Sequence, residues 1–280
     1  AMANYPDFDP NVYNKVEDPR DYRNDAVTGN YEPGSIFKPI TMAAAINEGK
    51  VTPDTTYNDT GSVVIDNYTL KNSDNKGHGI QTMTQVLEQS LNTGVIFAKE
   101  QIGNEKFFEY VKNFGFGQNT GVELSEAKGN LDNLKANIAV NYHTAAFGQG
   151  ISATPIQLIQ AFTALANEGK IMKPYLVLSK ILPDGKTENT KPQVVRQVIT
   201  AKTANIISAM LVNVVENGHG KRAGVPGYYI AGKTGTAQIP IAGHYDKEKT
   251  IVSFIGFAPA DPSADGPRFV MLVTLREPNL

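Results

Sequence analysis

The feature that most limits how this chain can fold is a change of hydrophobic period in its last third. Before that point apolar residues recur at helical spacing. Thr154-Pro155 supplies a cap and a first helical residue, and Ile156, Ile159, Phe162, Leu165 and Ala166 follow on one face until Gly169. Ile206, Ile207, Met210, Leu211 and Val214 line a further helix over roughly 201–216. Beyond it, residues 228–238, 250–258 and 269–275 read as three strands. Connections of about nine to eleven residues suit antiparallel neighbours joined by extended loops. Helices first and a sheet last make an α+β pattern. No repeat or low-complexity linker divides the chain, and 280 residues, 41% of them hydrophobic, suffice for one large domain or two unequal lobes.

Composition removes several function classes. Net charge is −2 and no long basic run occurs, so nothing points to nucleic acid. The chain has no Cys, which excludes a disulfide framework, a thiol nucleophile and a cysteine metal site. His78, His143, His219 and His244 are far apart and lack metal-ligand spacing, so neither a metal nor a cofactor is expected. They read as loop or helix-end residues. No stretch approaches the ~20 apolar residues of a membrane span, and no signal-peptide pattern is seen. The chain opens on Ala1-Met2-Ala3 and is read as part of something longer.

Residues 1–34 are polar and turn-rich. A helix is expected to start at Ser35, with Ser35 as its N-cap, Pro39 in its first turn, an apolar stretch from Ile40 to Ile46 and a stop at Gly49. Residues 52–82 read as short strands and loops. Helical pattern returns from Thr84 to about Ile102, with Val86, Leu87, Ser90 and Leu91 on one side, and again from Glu105 to Asn113.

Three short motifs carry chemistry. Ser35-Ile36-Phe37-Lys38 is an S-x-x-K whose first and last residues share a helix face. A serine hydroxyl needs a neighbouring base, and a lysine serves if burial or a second cation lowers its pKa. Two other S-x-x-K runs, Ser73 with Lys76 and Ser125 with Lys128, sit among turn residues, where no rigid helix would hold the pair. Ser90-Leu91-Asn92 is an S-x-N between apolar helical residues. Its hydroxyl is placed to relay a proton, and Asn92 to fix a substrate amide and the lysine together. Ser73-Asp74-Asn75 is a decoy of the same kind in a loop. Lys233-Thr234-Gly235-Thr236 lies within an expected strand. Lys233 offers a charge and the two threonines hydroxyls for a carboxylate, and an exposed strand edge offers N–H groups to an extended peptide. Glycines at 232 and 235 need a reason in a strand, and close approach of backbone to a ligand is one. Each motif has a plain alternative: a helix cap for Ser35, capping residues between two helices for Ser90 and Asn92, and a polar edge strand for 233–236. Together, in this order, they are specific.

With those residues in view the chain resembles the transpeptidase domain of a class B (monofunctional) penicillin-binding protein. The matching stretches are 5–11, 31–39, 90–94, 148–151 with 154–158, 231–238 and 253–259, which cover nearly the whole chain. The resemblance implies the fold shared with serine β-lactamases, an antiparallel sheet flanked by helices plus a helical lobe. It implies one transpeptidase domain over 1–280, truncated at both ends relative to the family, with the helical lobe at roughly 40–200 and the sheet region at roughly 226–276. The implied activity is D-Ala-D-Ala transpeptidation of peptidoglycan stem peptides through an acyl-enzyme on Ser35, open to irreversible acylation by β-lactam antibiotics. Lys38 would be the base, Lys233 its neighbouring cation, and Ser90 the relay. Asn92, Thr234, Gly235 and Thr236 would hold the substrate, and the backbone N–H groups of Ser35 and Thr236 would form the oxyanion hole. The same resemblance implies membrane anchorage through other parts of the protein, an outward-facing domain and a membrane glycosyltransferase partner. A DD-carboxypeptidase or β-lactamase, which pass the acyl group to water, and a β-lactam-sensing domain stand as alternatives. Asn92 argues against the sensor, and Glu126-Ala127-Lys128-Gly129-Asn130 lacks the Leu of a class A deacylation loop. Tyr228 and Tyr229 read as strand-core aromatics, with the cleft floor as the alternative, and Lys221 and Arg222 as a solvated loop, with contact to anionic glycan as the alternative.

Overall fold

The computed structural model describes residues 1–241, 244–261 and 269–278. The first 24 residues hold only short 3-10 turns, followed by α1 (Asp25–Thr28). A 3-10 turn over Gly34–Phe37 then runs directly into α2 (Lys38–Asn47). Ser35 is therefore not the N-cap expected of it: the turn begins after Pro33 with no side-chain cap, and the α-helical frame starts only at Lys38. Every position of α2 from Lys38 to Ile46 is buried. Its alanine run favours helix, and the flanking Ile36, Phe37, Ile40 and Met42 each contribute about 1.5–3 kcal/mol by leaving water.

Four short strands follow, β1 (Thr56–Asp59), β2 (Ser62–Ile65), β3 (Tyr68–Lys71) and β4 (Gly79–Thr82), pairing antiparallel as β1 with β4 and β2 with β3. The helical stretch expected over 84–102 is broken in two: α3 (Met83–Glu88), opened by a capping box between Thr82 and Gln85, and α4 (Asn92–Glu100). The break falls on Ser90, whose φ is 58°. Apolar spacing runs through the break unchanged, so periodicity conceals it. Next come α5 (Gly103–Asn113), α6 (Asp132–Lys135), α7 (Ala139–Ala146) and α8 (Pro155–Ala166), the last capped by Thr154 as expected, in a capping box with Gln157. Short strands β5 (Lys170–Met172), β6 (Ser179–Ile181), β7 (Thr187–Asn189) and β8 (Val194–Gln197) lead into α9 (Ala201–Glu216), capped by Thr200.

The chain ends in an antiparallel sheet of β9 (Ala231–Ile241), β10 (His244–Ala258) and β11 (Phe269–Arg276), in the order β11-β10-β9. β9 and β10 run several residues further toward each other than expected, pairing as far as Ile241 with His244, so no long loop separates them. The connection from β10 to β11 lies largely outside the described residues. β9 starts at Ala231, which leaves Tyr228 and Tyr229 outside the strand and exposed, contrary to their reading as strand-core aromatics. Lys221 and Arg222 sit exposed in a 3-10 turn. α9 packs on β9, α2 and α3, which draws the start of α2, the break at Ser90 and β9 around one centre.

Candidate active site

Three segments distant in sequence meet through glycines. Gly34 donates its N–H to the Gly148 carbonyl at 3.0 Å. A Cβ on Gly148 would lie 2.2 Å from the Gly34 oxygen, and one on Gly235 would lie 2.8 Å from Ile36 Cγ2 and 3.2 Å from the Ile36 nitrogen. The turn bearing Ser35 is thus pressed against the β9 backbone at Gly235 and Thr236. The expected reason for glycine in this strand changes accordingly. Gly235 accommodates Ile36, and Gly232 accommodates the Phe254 ring, 2.3 Å from where its Cβ would stand. Both approaches are by the protein's own residues.

Ser35 is half-buried at the start of α2, and Lys38 is completely buried one 3-10 turn later. The Lys38 N–H bonds the Ser35 carbonyl, and in 3-10 geometry residues three apart eclipse, so the lysine stem rises over the serine. Lys38 Nζ donates to the Ser90 carbonyl at 2.5 Å and to Ser90 Oγ at 3.1 Å. Burial, and secondarily the charge of Lys233, hold the Lys38 amine well below its ordinary pKa. Lys233 is equally buried on β9, donates to the Thr234 carbonyl at 3.2 Å, and is brought down by burial to a pKa of about 7. Thr236 is exposed and Thr234 half-buried on the same strand.

Ser90 is 9% exposed. Its left-handed backbone costs about 1–3 kcal/mol in a non-glycine residue and persists only where surroundings hold it. The Ser90 N–H bonds the Leu87 carbonyl and the Leu91 N–H the Val86 carbonyl, at 3.3 and 2.9 Å. Asn92, half-buried at the first position of α4, gives its amide to the Lys71 carbonyl at 2.8 Å. The described hydrogen bonds of Asn92 run to β3 and not to Lys38, which differs from its expected double role.

The fold therefore brings Ser35, Lys38, Ser90 and Lys233 to one place. The decoys stay outside it: Ser73 lies in an exposed turn where Asp74 accepts the Lys76 N–H, and Ser125 and Lys128 lie in the loop before α6. His219 lies in the turn after α9, with its N–H on the Glu88 carbonyl at 3.1 Å, and burial, then the charges of Lys233 and Lys38, lower its pKa. His143 differs again: it is buried on α7, with Nε2 3.0 Å from Glu100 Oε1.

A half-buried serine with a fully buried lysine, joined by a second serine and by a second lysine from the edge strand β9, is the arrangement shared by penicillin-binding proteins and serine β-lactamases. The family model described as "Penicillin binding protein transpeptidase domain" matches residues 1–279. Stage V sporulation protein D of Bacillus subtilis is 43% identical over 284 residues, covering 99% of this chain and 43% of that protein. Penicillin-binding protein PbpB of Mycolicibacterium smegmatis is 35% identical, covering 99% and 44%. Among solved structures, penicillin-binding protein 3 of Mycobacterium tuberculosis complexed with aztreonam superposes with a TM-score of 0.84 at 33% identity, covering 91% of this chain and 58% of that one. The D,D-transpeptidase domain from Eggerthella lenta reaches 0.84 at 28% identity, covering 98% and 69%. The chain belongs to the penicillin-binding protein transpeptidase family, on its class B branch. It spans less than half the length of the two curated relatives it is compared with here.

Proposed function

We propose that this domain is a D-Ala-D-Ala transpeptidase that cross-links peptidoglycan stem peptides through an acyl-enzyme on Ser35. The observation that carries this reading is the wholly buried Lys38 amine, kept below its ordinary pKa one turn from a half-buried serine. A neutral amine there takes the Ser35 proton. Ser35 Oγ attacks the carbonyl carbon of the penultimate D-Ala, and the backbone N–H groups of Ser35 and Thr236 hold the oxyanion. One such donor is worth on the order of 100-fold in rate. The C–N bond breaks, and the departing D-Ala amine receives its proton through Ser90, whose Oγ is 3.1 Å from Lys38 Nζ. An amine from a neighbouring stem then attacks the ester, forms the new amide and returns Ser35 to its hydroxyl form. Lys233, with the hydroxyls of Thr234 and Thr236, takes the terminal carboxylate, and Asn92 the substrate amide.

β-Lactams mimic the same peptide end, and the aztreonam complex of the mycobacterial relative supports their inclusion as ligands. Residues 1–280 act in this reading as one transpeptidase domain, working on the outer face of the cytoplasmic membrane. Among the described residues no helix is long and apolar enough to cross a membrane. Anchorage and contact with a glycosyltransferase are assigned to parts of the protein outside this chain.

Mass spectrometry after penicillin treatment tests the proposal. A single adduct on the Ser35 peptide is expected, and none in Ser35→Ala. Undiminished labelling of that variant overturns it. Rapid turnover of a chromogenic cephalosporin would move the assignment to a β-lactamase.

A further inference from the structure

β1 to β4 form two short antiparallel pairs, with β1 and β3 against α4, and nothing in the acylation steps uses them. Yet Asp59, the last residue of β1, is 2% exposed and accepts four hydrogen bonds from neutral donors. Oδ1 accepts the Gly61 N–H at 2.9 Å and the Thr93 hydroxyl at 2.8 Å. Oδ2 accepts the Asn72 amide at 2.8 Å and the His78 N–H at 3.2 Å. A buried carboxylate without this full set of donors would be costly, so these contacts hold one arrangement.

The arrangement ends on the residue after Asn92. Thr93 is 3% exposed, its N–H bonds Asn72 Oδ1 at 3.2 Å, and Tyr57 OH lies 3.2 Å from its Oγ1. The Thr93 hydroxyl has one proton, and Asp59 Oδ1 is the nearer of its acceptors. α4 has no side-chain cap of its own, because Leu91 stands at the cap position. Asn72 caps it from the turn after β3, and the Asp59 carboxylate faces the positive end of the helix dipole. With the Asn92 amide on Lys71, both first residues of α4 are fastened to this β-strand segment. On the other side of this anchorage, two residues back, Ser90 keeps its left-handed backbone and presents both oxygens to Lys38.

We infer that Asp59, Asn72 and Thr93 are positioning residues for acylation: by pinning the first turn of α4 they hold Ser90 in its left-handed conformation, so that its carbonyl and hydroxyl stay on Lys38. The inference rests on the acylation of Ser35 proposed above.

The test uses Thr93→Val, which keeps the shape and removes the hydroxyl, and Thr93→Ser, which keeps the hydroxyl. The second-order rate of acylation by a fluorescent penicillin is followed from pH 5 to 9, below the unfolding temperature of every variant. Thr93→Val is expected to lose about 10- to 100-fold in rate, the scale of a misplaced catalytic group. The acidic limb of its profile is expected to move to lower pH, because Lys38 loses acceptors that favour its ammonium form. Thr93→Ser is expected to stay in the wild-type range. A wild-type rate and profile in Thr93→Val, or an equal loss in Thr93→Ser, overturns the inference. Asn72→Ala repeats the test from the β3 side. If neither Thr93→Val nor Asn72→Ala folds, the network serves stability and the positioning role falls. Wild-type protein and Ser35→Ala run alongside: an unlabelled wild type counts against the acylation reading, whereas labelled wild type with unaffected variants counts against the clamp alone.

Discussion

The two walls that meet at Lys38 are built on opposite principles. The wall carrying Ser35 and Lys38 is an apolar plug. α2 is buried along almost its whole length, and the lysine owes its altered proton affinity first to that burial and second to the charge of Lys233. The wall carrying Ser90 and Asn92 is short, kinked and strained, and it is kept in place by a polar network of Asp59, Asn72, Thr93 and Tyr57. One wall tunes a pKa by burial, and the other fixes a position by a set of hydrogen bonds. Chemistry and placement are thereby separable, and substitutions should divide along the same line.

Lys38→Met should divide them most sharply. The removal of a general base is expected to cost about 100- to 10 000-fold in acylation rate. Thermal unfolding should occur at an equal or higher temperature, because an apolar chain replaces a buried amine. Gly94→Ala probes the other wall. Its Cβ would stand 2.3 Å from Val86 Cγ2 and 2.9 Å from Tyr57 OH, and overpacking of this kind costs about 1–3 kcal/mol in a denaturant titration. A smaller effect belongs to pH. In the unfolded chain Lys233 holds its proton up to the ordinary value of 10.5, and in the folded one only up to about 7. Between those values the unfolded form binds more protons, so stability should rise with pH across that window, as read by melting temperature. The same group gives the acylation profile a descending limb near pH 7 in the free enzyme, since carboxylate capture needs the ammonium form, and a bound carboxylate should move that limb upward. The smallest effect is none at all: Ser73→Ala and Ser125→Ala should label with penicillin at the wild-type rate.

The apolar wall was legible in the sequence because its signals are local. A proline–glycine turn, an S-x-x-K and an alanine-rich run are contiguous, and the three strands and the cap at Thr154 are equally short-range. Even there the onset was misjudged, since 3-10 and α turns share the same composition. The polar wall was not legible. Leu87 and Leu91 keep helical spacing through a kink whose cause is the hydrogen bonding around Ser90. The residues that brace it come from β1 and the turn after β3, where Asp59 and Asn72 look like ordinary loop residues. The decoy Ser73-Asp74-Asn75 starts one position after the asparagine that touches the site. Pairing between segments 20 or more residues apart leaves no periodic trace.

The contacts of Gly34 with Gly148, and of Gly235 with Ile36, leave no room for even a methyl group. Neither side of such a joint can be altered alone, because any added atom must be met by a backbone shift opposite. Substitution at this joint therefore requires paired change, whatever acts on the rest of the surface. Side chains that face solvent nearby in sequence, such as Tyr228 and Tyr229, carry no such constraint and can change one at a time.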